Sequence, residues 1–259
     1  MKIEFNGKVA VITGGSKGLG LAMAKGFAQS GAKLALIARD EKTLKEAAAD
    51  VHAYSADAKV FIVRADVTKS EEIESAYAQI MKEYGRIDIV VNNVGASAAK
   101  PFESITDADW EADFQLKLFS AIRLTRLVWP QMKERKWGRV LNTLATGAKA
   151  PAAGSAPSSV TRAAGLALTK VLANEGAADG ILVNALLVGL IDSDQWERKA
   201  KQQGVSKEVV LAELGKKVPL GRVGTGEEFA NLACFLASDA GGYITGTAIN
   251  VDGGLSPIT

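Results

Sequence analysis

Seven short runs of β-branched and aliphatic residues, at 9–13, 33–37, 60–63, 87–91, 140–144, 181–185 and 248–251, punctuate this chain, with helix-like segments filling the gaps. Most of these runs are continuously apolar. A strand with one wet face alternates, whereas a strand buried on both faces of a parallel sheet does not. Repeated strand, helix, strand units of this kind build a doubly wound α/β fold, a Rossmann-type sheet of seven mostly parallel strands with helices on both faces. At 259 residues the chain is long enough for a substantial core, and no linker or repeat divides it, so one domain over residues 1–259 is expected. The stretch 193–219 after the sixth run fits no strand-helix alternation and reads as a lid over a crevice at the carboxyl edge of the sheet.

Composition narrows the partners. The net charge of +2 has basic and acidic residues interleaved, which argues against a nucleic-acid or anionic-membrane surface and for a small-molecule substrate. A single cysteine, Cys234, excludes an internal disulfide, and the lone His52 has no companions of metal-ligating spacing. With no signal-like leader and no apolar run near the ~20 residues that span a bilayer, a cytoplasmic location is the expectation.

Between the first run and the helical segment 21–29 stands Thr13-Gly14-Gly15-Ser16-Lys17-Gly18-Leu19-Gly20. Glycines at 14, 18 and 20 permit a tight turn and let backbone N–H groups approach a pyrophosphate at a helix N-terminus. Further signals follow in order: Asp66-Val67 after the third run, Asn92-Asn93-Val94-Gly95 after the fourth, Val183-Asn184 ending the sixth, and Asp252-Gly253-Gly254 after the seventh. Gly221-Arg222-Val223-Gly224 and Phe235-Leu236-Ala237-Ser238-Asp239 lie near the C-terminus. On these motifs the chain resembles the short-chain dehydrogenase/reductase family over essentially its whole length, with general similarity to its 3-oxoacyl-carrier-protein reductase-like members. The resemblance implies a nicotinamide cofactor and a homodimer or homotetramer. It also implies that Asp66 and Val67 hold the adenine, that Asn93, Val94 and Gly95 lie along the ribose and strand end, and that Val188, Gly189, Ile191 and Ser193 close on the nicotinamide. Val188 stands where the family usually has proline.

The cofactor choice follows from charge. A site for NAD(H) needs a carboxylate on the ribose 2′-hydroxyl, about 20 residues past the glycines, whereas a 2′-phosphate needs a cation. The second run ends Ala38-Arg39, with Lys17 inside the glycine loop as a second cation, so NADP(H) is expected over NAD(H). The plainer alternative leaves both as surface charges, with Arg39 paired to Asp40.

The chemistry departs from the resemblance. The family protonates the substrate oxygen with a tyrosine, holds the nicotinamide ribose with a lysine four residues on, polarises the carbonyl with a serine thirteen residues before the tyrosine, and anchors a relay water with an asparagine. Counting from Gly138-Arg139-Val140-Leu141-Asn142 and from Trp110, these positions hold Ser158, Arg162, Ala145 and Lys117. Arg162 retains donors for ribose hydroxyls but stays protonated, and the Ser158 hydroxyl is a ring shorter than a phenol and far less acidic. Lys117 lies on the stripe Phe114, Lys117, Ala121, Leu124, Val128 and should point inward, where burial and Arg162 would lower its pKa. It is therefore a candidate proton donor. The alternative is that it fills the vacated space or reaches Asp113 or Glu111.

Neighbouring hydroxyls at Thr143, Thr146, Ser155 and Ser159 are candidates to polarise a carbonyl from beside the lost positions, though they suit turns and helix starts better, with Ala156-Pro157-Ser158 opening a helix through Leu172. In the lid, Gln195 and Trp196 are candidates for lining a pocket, though Trp196 suits packing equally well. Lysines 199, 201, 207, 216 and 217 hint at an acidic or carrier-bound substrate, offset by Glu197, Glu208 and Glu213. Ala163, Ala167 and Ala173 give one helix a small-residue face suited to pairing copies. An NADP(H)-dependent carbonyl or alcohol oxidoreductase with an altered donor is the leading reading. A non-catalytic NADP(H)-binding sensor or inactive subunit, and a non-redox enzyme on the same fold, compete with it.

Overall fold

The structure is a computed structural model that describes residues 2–259. All seven expected strands form, as β1 (Val9–Thr13), β2 (Lys33–Ala38), β3 (Lys59–Arg64), β4 (Ile89–Asn92), β5 (Gly138–Ala145), β6 (Ile181–Val188) and β7 (Ala248–Val251). They make one sheet in the order β3-β2-β1-β4-β5-β6-β7 with every pair parallel. Strand six runs past Asn184 to Val188, because Asn184 is buried and bonded to the segment leading into β7: its amide donates to the Ile244 carbonyl at 2.8 Å and accepts from Thr247 N–H.

Helices α1 (Gly18–Gln29), α2 (Glu41–Tyr54), α3 (Ser70–Tyr84), α4 (Asp107–Phe114), α5 (Ser120–Arg135), α6 (Ser158–Gly176), α7 (Asp194–Gln203), α8 (Lys207–Gly215) and α9 (Gly226–Ala237) complete the chain. The continuous apolar runs serve both faces at once. Ala10, Ile12, Leu34 and Leu36 pack with Met23, Phe27 and Phe229 on one side. Val11, Ala35 and Ile37 pack with Ile73, Ile80, Leu124 and Val128 on the other. Each fully buried large side chain contributes about 1.5–3 kcal/mol, so both layers are held without any disulfide. Among the described residues no helix is long and apolar enough to cross a membrane.

The stretch 193–219 is not irregular. It folds as α7 and α8 packed on each other through Ala200, Val210 and Leu214, with Trp196 in the same cluster. Trp196 Nε1 donates to the Ile191 carbonyl at 2.8 Å, so its ring fastens this pair of helices to the end of β6. The lysines here are mostly neutralised: Lys207 meets Asp192, Lys201 meets Glu197 and Lys216 meets Glu213. Helix α6 ends at Gly176 rather than at Leu172, and Ala173 faces the core, so its outer stripe is Val160, Ala163, Ala167 and Val171.

Cys234 lies on α9 against Gly26 of α1, and burial pushes its thiol up to about 12. At pH 8 its thiolate fraction is on the order of 10⁻⁴, far below that of a free cysteine. A thiol-specific reagent should leave the native protein unlabelled over hours at pH 8 and react with one equivalent after denaturation. Prompt labelling of the native state would contradict this packing of α1 on α9.

Candidate active site

The strand order reverses between β1 and β4, and the loops leaving β1, β4, β5 and β6 gather at the carboxyl edge there. In the glycine loop, Gly18 has a left-handed φ of +52° and a side chain at that position would meet nothing within 4 Å. Gly20 is the opposite case, since a Cβ there would lie 2.1 Å from the Gly14 carbonyl oxygen. The N-cap residue of α1, Lys17, makes no side-chain cap, and no acid stands in the helix's first turn. The helix therefore presents uncapped amides and its positive end beside open space, a cradle that fits a diphosphate. Ser16 is half-buried and Lys17 exposed at this rim.

Asn93 tightens the cradle from below. Its side-chain amide donates to the Thr13 and Gly14 carbonyls at 3.2 and 3.3 Å, and its N–H donates to Thr13 Oγ1. The side chains of Val67 and Ile191 are buried in the hydrophobic core, and Leu19 and Val94 are half-buried against it.

At the end of β2, Asp40 does not pair with Arg39. It caps α2 instead, accepting from Thr43 N–H at 2.7 Å, and this hydrogen bond holds its carboxyl below the usual range. Among the described residues Arg39 has no ion-pair partner and stands exposed. Arg64, next to Ala38 in the sheet register, donates from Nε to the Arg39 carbonyl and adds a third cation that the sequence had not suggested. Asp66 is half-buried. Burial acts to raise its carboxyl, but two bonds from Thr68 and the nearby Arg39 and Lys69 outweigh it and the net shift is downward.

The substituted positions converge. Between α4 and α5 the helix passes through a π-turn at Gln115–Phe119, a feature common at functional sites, and Lys117 sits inside it. Its side chain is 2% exposed. Nζ forms an ion pair with Asp113, equally buried, and donates to Ser158 Oγ at 2.9 Å. Lys117 thus points inward as the stripe requires, and takes the pairing with Asp113 rather than Glu111. Burial lowers its pKa most, Arg162 adds to that, and the Asp113 bond and charge oppose both.

Ser158 is the first residue of α6. Its oxygen also accepts from Ala98 N–H at 2.9 Å, which fastens the loop after β4 onto the helix start. Arg162, one turn on, donates from NH1 to the Thr143 carbonyl at 2.8 Å, and burial lowers its pKa while Asp113 raises it. Its NH2 lies so close to Gly95 that a Cβ there would sit 2.7 Å away, which is why that position has no side chain. Ala145 ends β5 beside Val188 of β6 and brings no hydroxyl. Among the described residues, Asp113 Oδ2 and Thr143 Oγ1 are two of the buried oxygens that lack a hydrogen-bond partner. None of the four tyrosines reaches this cluster; Tyr84, for one, donates to the Leu34 carbonyl from α3.

A family model described as enoyl-(acyl carrier protein) reductase matches residues 14–256. The chain belongs to the short-chain dehydrogenase/reductase family. It is 36% identical over 256 residues to the oxidoreductase UcpA of Salmonella typhimurium, covering 97% of this chain and 95% of that protein. It is 32% identical over 248 residues to an acetoacetyl-CoA reductase of Shinella zoogloeoides, covering 95% and 98%. The fold superposes on the L-sorbose reductase of Gluconobacter frateurii, solved with NADPH and L-sorbose, with a TM-score of 0.94 at 33% identity and complete coverage of both chains.

Proposed function

We propose that this chain is an NADP(H)-dependent oxidoreductase interconverting a carbonyl and an alcohol, with Lys117 in place of the family's tyrosine as the source of the proton. The observation that carries the reading is the buried lysine held between Asp113 and Ser158 at the carboxyl edge of the sheet. Gly14, Ser16, Gly18, Leu19 and Gly20 offer backbone to the diphosphate, and Lys17, Arg39 and Arg64 supply the positive charge that a 2′-phosphate needs. Asp66 and Val67 take the adenine, Asn93 to Gly95 line the ribose side, Arg162 donates to the nicotinamide ribose, and Val188, Gly189, Ile191 and Ser193 border the nicotinamide. When bound, NADPH supplies a hydride to the carbonyl carbon. The protein's part is to place the carbonyl, shield it beneath the lid of residues 193–219, and deliver a proton to the oxygen. The names of relatives, a sorbose reductase and an acetoacetyl-CoA reductase among them, support a small carbonyl substrate, free or carrier-bound. The outer stripe of α6 supports pairing of copies into a dimer or tetramer.

Fluorescence titration with NADPH and NADH, followed by oxidation assays over sugar ketones and acetoacetyl thioesters, tests this. NADPH should bind more tightly than NADH. Arg39→Asp should weaken NADPH by at least about tenfold, a loss of roughly 1.4 kcal/mol or more, and bring NADH level with it. Tight NADPH binding with no carbonyl reduced would identify a binding protein instead.

A further inference from the structure

The hydrogen bonds around Ser158 have a direction. A hydroxyl oxygen accepts at two lone pairs and donates one proton. Both acceptor places are taken, one by Lys117 Nζ–H and one by Ala98 N–H, each at 2.9 Å. No group of the described chain accepts from the Ser158 hydroxyl, so its proton is free to point into the crevice beside Arg162. Lys117 lies behind it: its side chain is 2% exposed, and of the groups its Nζ hydrogen-bonds, Asp113 and Ser158, the serine is the one at the start of α6 beside the crevice.

We propose that Ser158 is the catalytic group that protonates the substrate oxygen and that Lys117 recharges it, with Asp113 as the positioning residue that holds Lys117 in its charged form. This rests on the oxidoreductase reading above. As the hydride and its electron pair reach the carbonyl carbon, the carbonyl π bond breaks onto oxygen. The Ser158 O–H bond breaks and its proton joins that oxygen; a Lys117 N–H bond breaks and its proton joins Ser158 Oγ. Lys117 is left neutral and regains its proton from solvent when the lid opens. A serine hydroxyl is a poor acid by itself, but here each proton it loses is replaced within one hydrogen bond. The charged groups facing Lys117 are Asp113 on its own helix and Arg162 from α6; from the loop after β4, Lys100 is drawn away to Asp109 at 2.7 Å.

The test combines kinetics with titration of the Lys117 ammonium by ¹⁵N-observed spectroscopy on the cofactor-free protein. Ser158→Ala should lower kcat on the order of 100-fold or more while leaving NADPH affinity unchanged, and Ser158→Thr should restore a large part of it. Asp113→Asn removes the one partner that raises the lysine pKa, so the ammonium should titrate at lower pH. The alkaline limb of kcat, which reports loss of the proton, should move down with it. A Ser158→Ala enzyme as fast as the parent, or a kcat limb that stays put while the ammonium midpoint falls, overturns the relay and leaves the oxidoreductase reading intact. A parent protein that binds NADPH and reduces no carbonyl overturns both.

Discussion

Asp113→Ala is expected to lower the stability of the folded protein by about 3–5 kcal/mol at pH 7, a fall in Tm of roughly 10 °C. The carboxylate it removes is the partner of a lysine whose side chain is 2% exposed, and Arg162 is the like charge that acts on that lysine. Without Asp113 the interior would hold two cations and no anion. The cost has a ceiling, because Lys117 can give up its proton. Starting from an ordinary value of 10.5, neutralising it at pH 7 costs about 5 kcal/mol. That escape fixes the pH dependence. In the variant the folded lysine is neutral while the unfolded lysine stays charged, so the unfolded state binds more protons and stability rises with pH. The variant's own stability should therefore rise by about 2–3 kcal/mol between pH 7 and 9, read from urea unfolding at each pH, and the deficit narrows to the extent that the parent's lysine keeps its proton. Asp113→Leu combined with Lys117→Met removes both charges and should recover most of the loss, since a buried pair replaced by apolar groups of similar volume is often neutral. A variant whose stability stays constant with pH would mean that Lys117 is solvated after all.

Which parts of this were legible in the sequence follows from how far apart the interacting residues lie. The sheet was readable because each strand is a local run whose burial on both faces is written into consecutive residues such as 9–13 and 181–185. Inward-facing Lys117 was readable too, from an apolar stripe one helix long. The burial of Asp113 was harder, because the π-turn at Gln115–Phe119 shifts the register that an ordinary helix would impose. The bond from Lys117 to Ser158 joins residues 41 positions apart on separate helices and has no local signature. Helix α7 escaped notice because its sequence, Asp-Gln-Trp-Glu-Arg-Lys-Ala-Lys-Gln-Gln, offers only Trp196 and Ala200 as an apolar face. Asp40 carried a signal that was read for the wrong purpose: an aspartate three residues before Thr43 at a helix start is a cap first and an ion-pair partner second.

Gly20→Ala should abolish high-affinity NADPH binding, with a loss of at least about 100-fold, or nearly 3 kcal/mol. The added Cβ would lie 2.1 Å from the Gly14 carbonyl oxygen and 2.8 Å from the Asn93 amide nitrogen. Neither neighbour can yield freely. Gly14 is tied to β2 through its N–H on the Ile37 carbonyl, and Asn93 is tied to the Thr13 and Gly14 carbonyls. The loop must shift by more than an ångström, and the first amides of α1 turn with it. Gly18→Ala is the control that separates crowding from the mere loss of a glycine. Its Cβ meets no protein atom within 4 Å, so within the protein its penalty is the strain of a φ of +52°, about 1–2 kcal/mol, and any further loss comes from the methyl facing the diphosphate. Fluorescence titration should therefore rank the parent above Gly18→Ala, and Gly18→Ala well above Gly20→Ala. If the two variants bound equally, the cradle would owe its shape to backbone flexibility, and the close contact of Gly20 with Gly14 would be incidental to it.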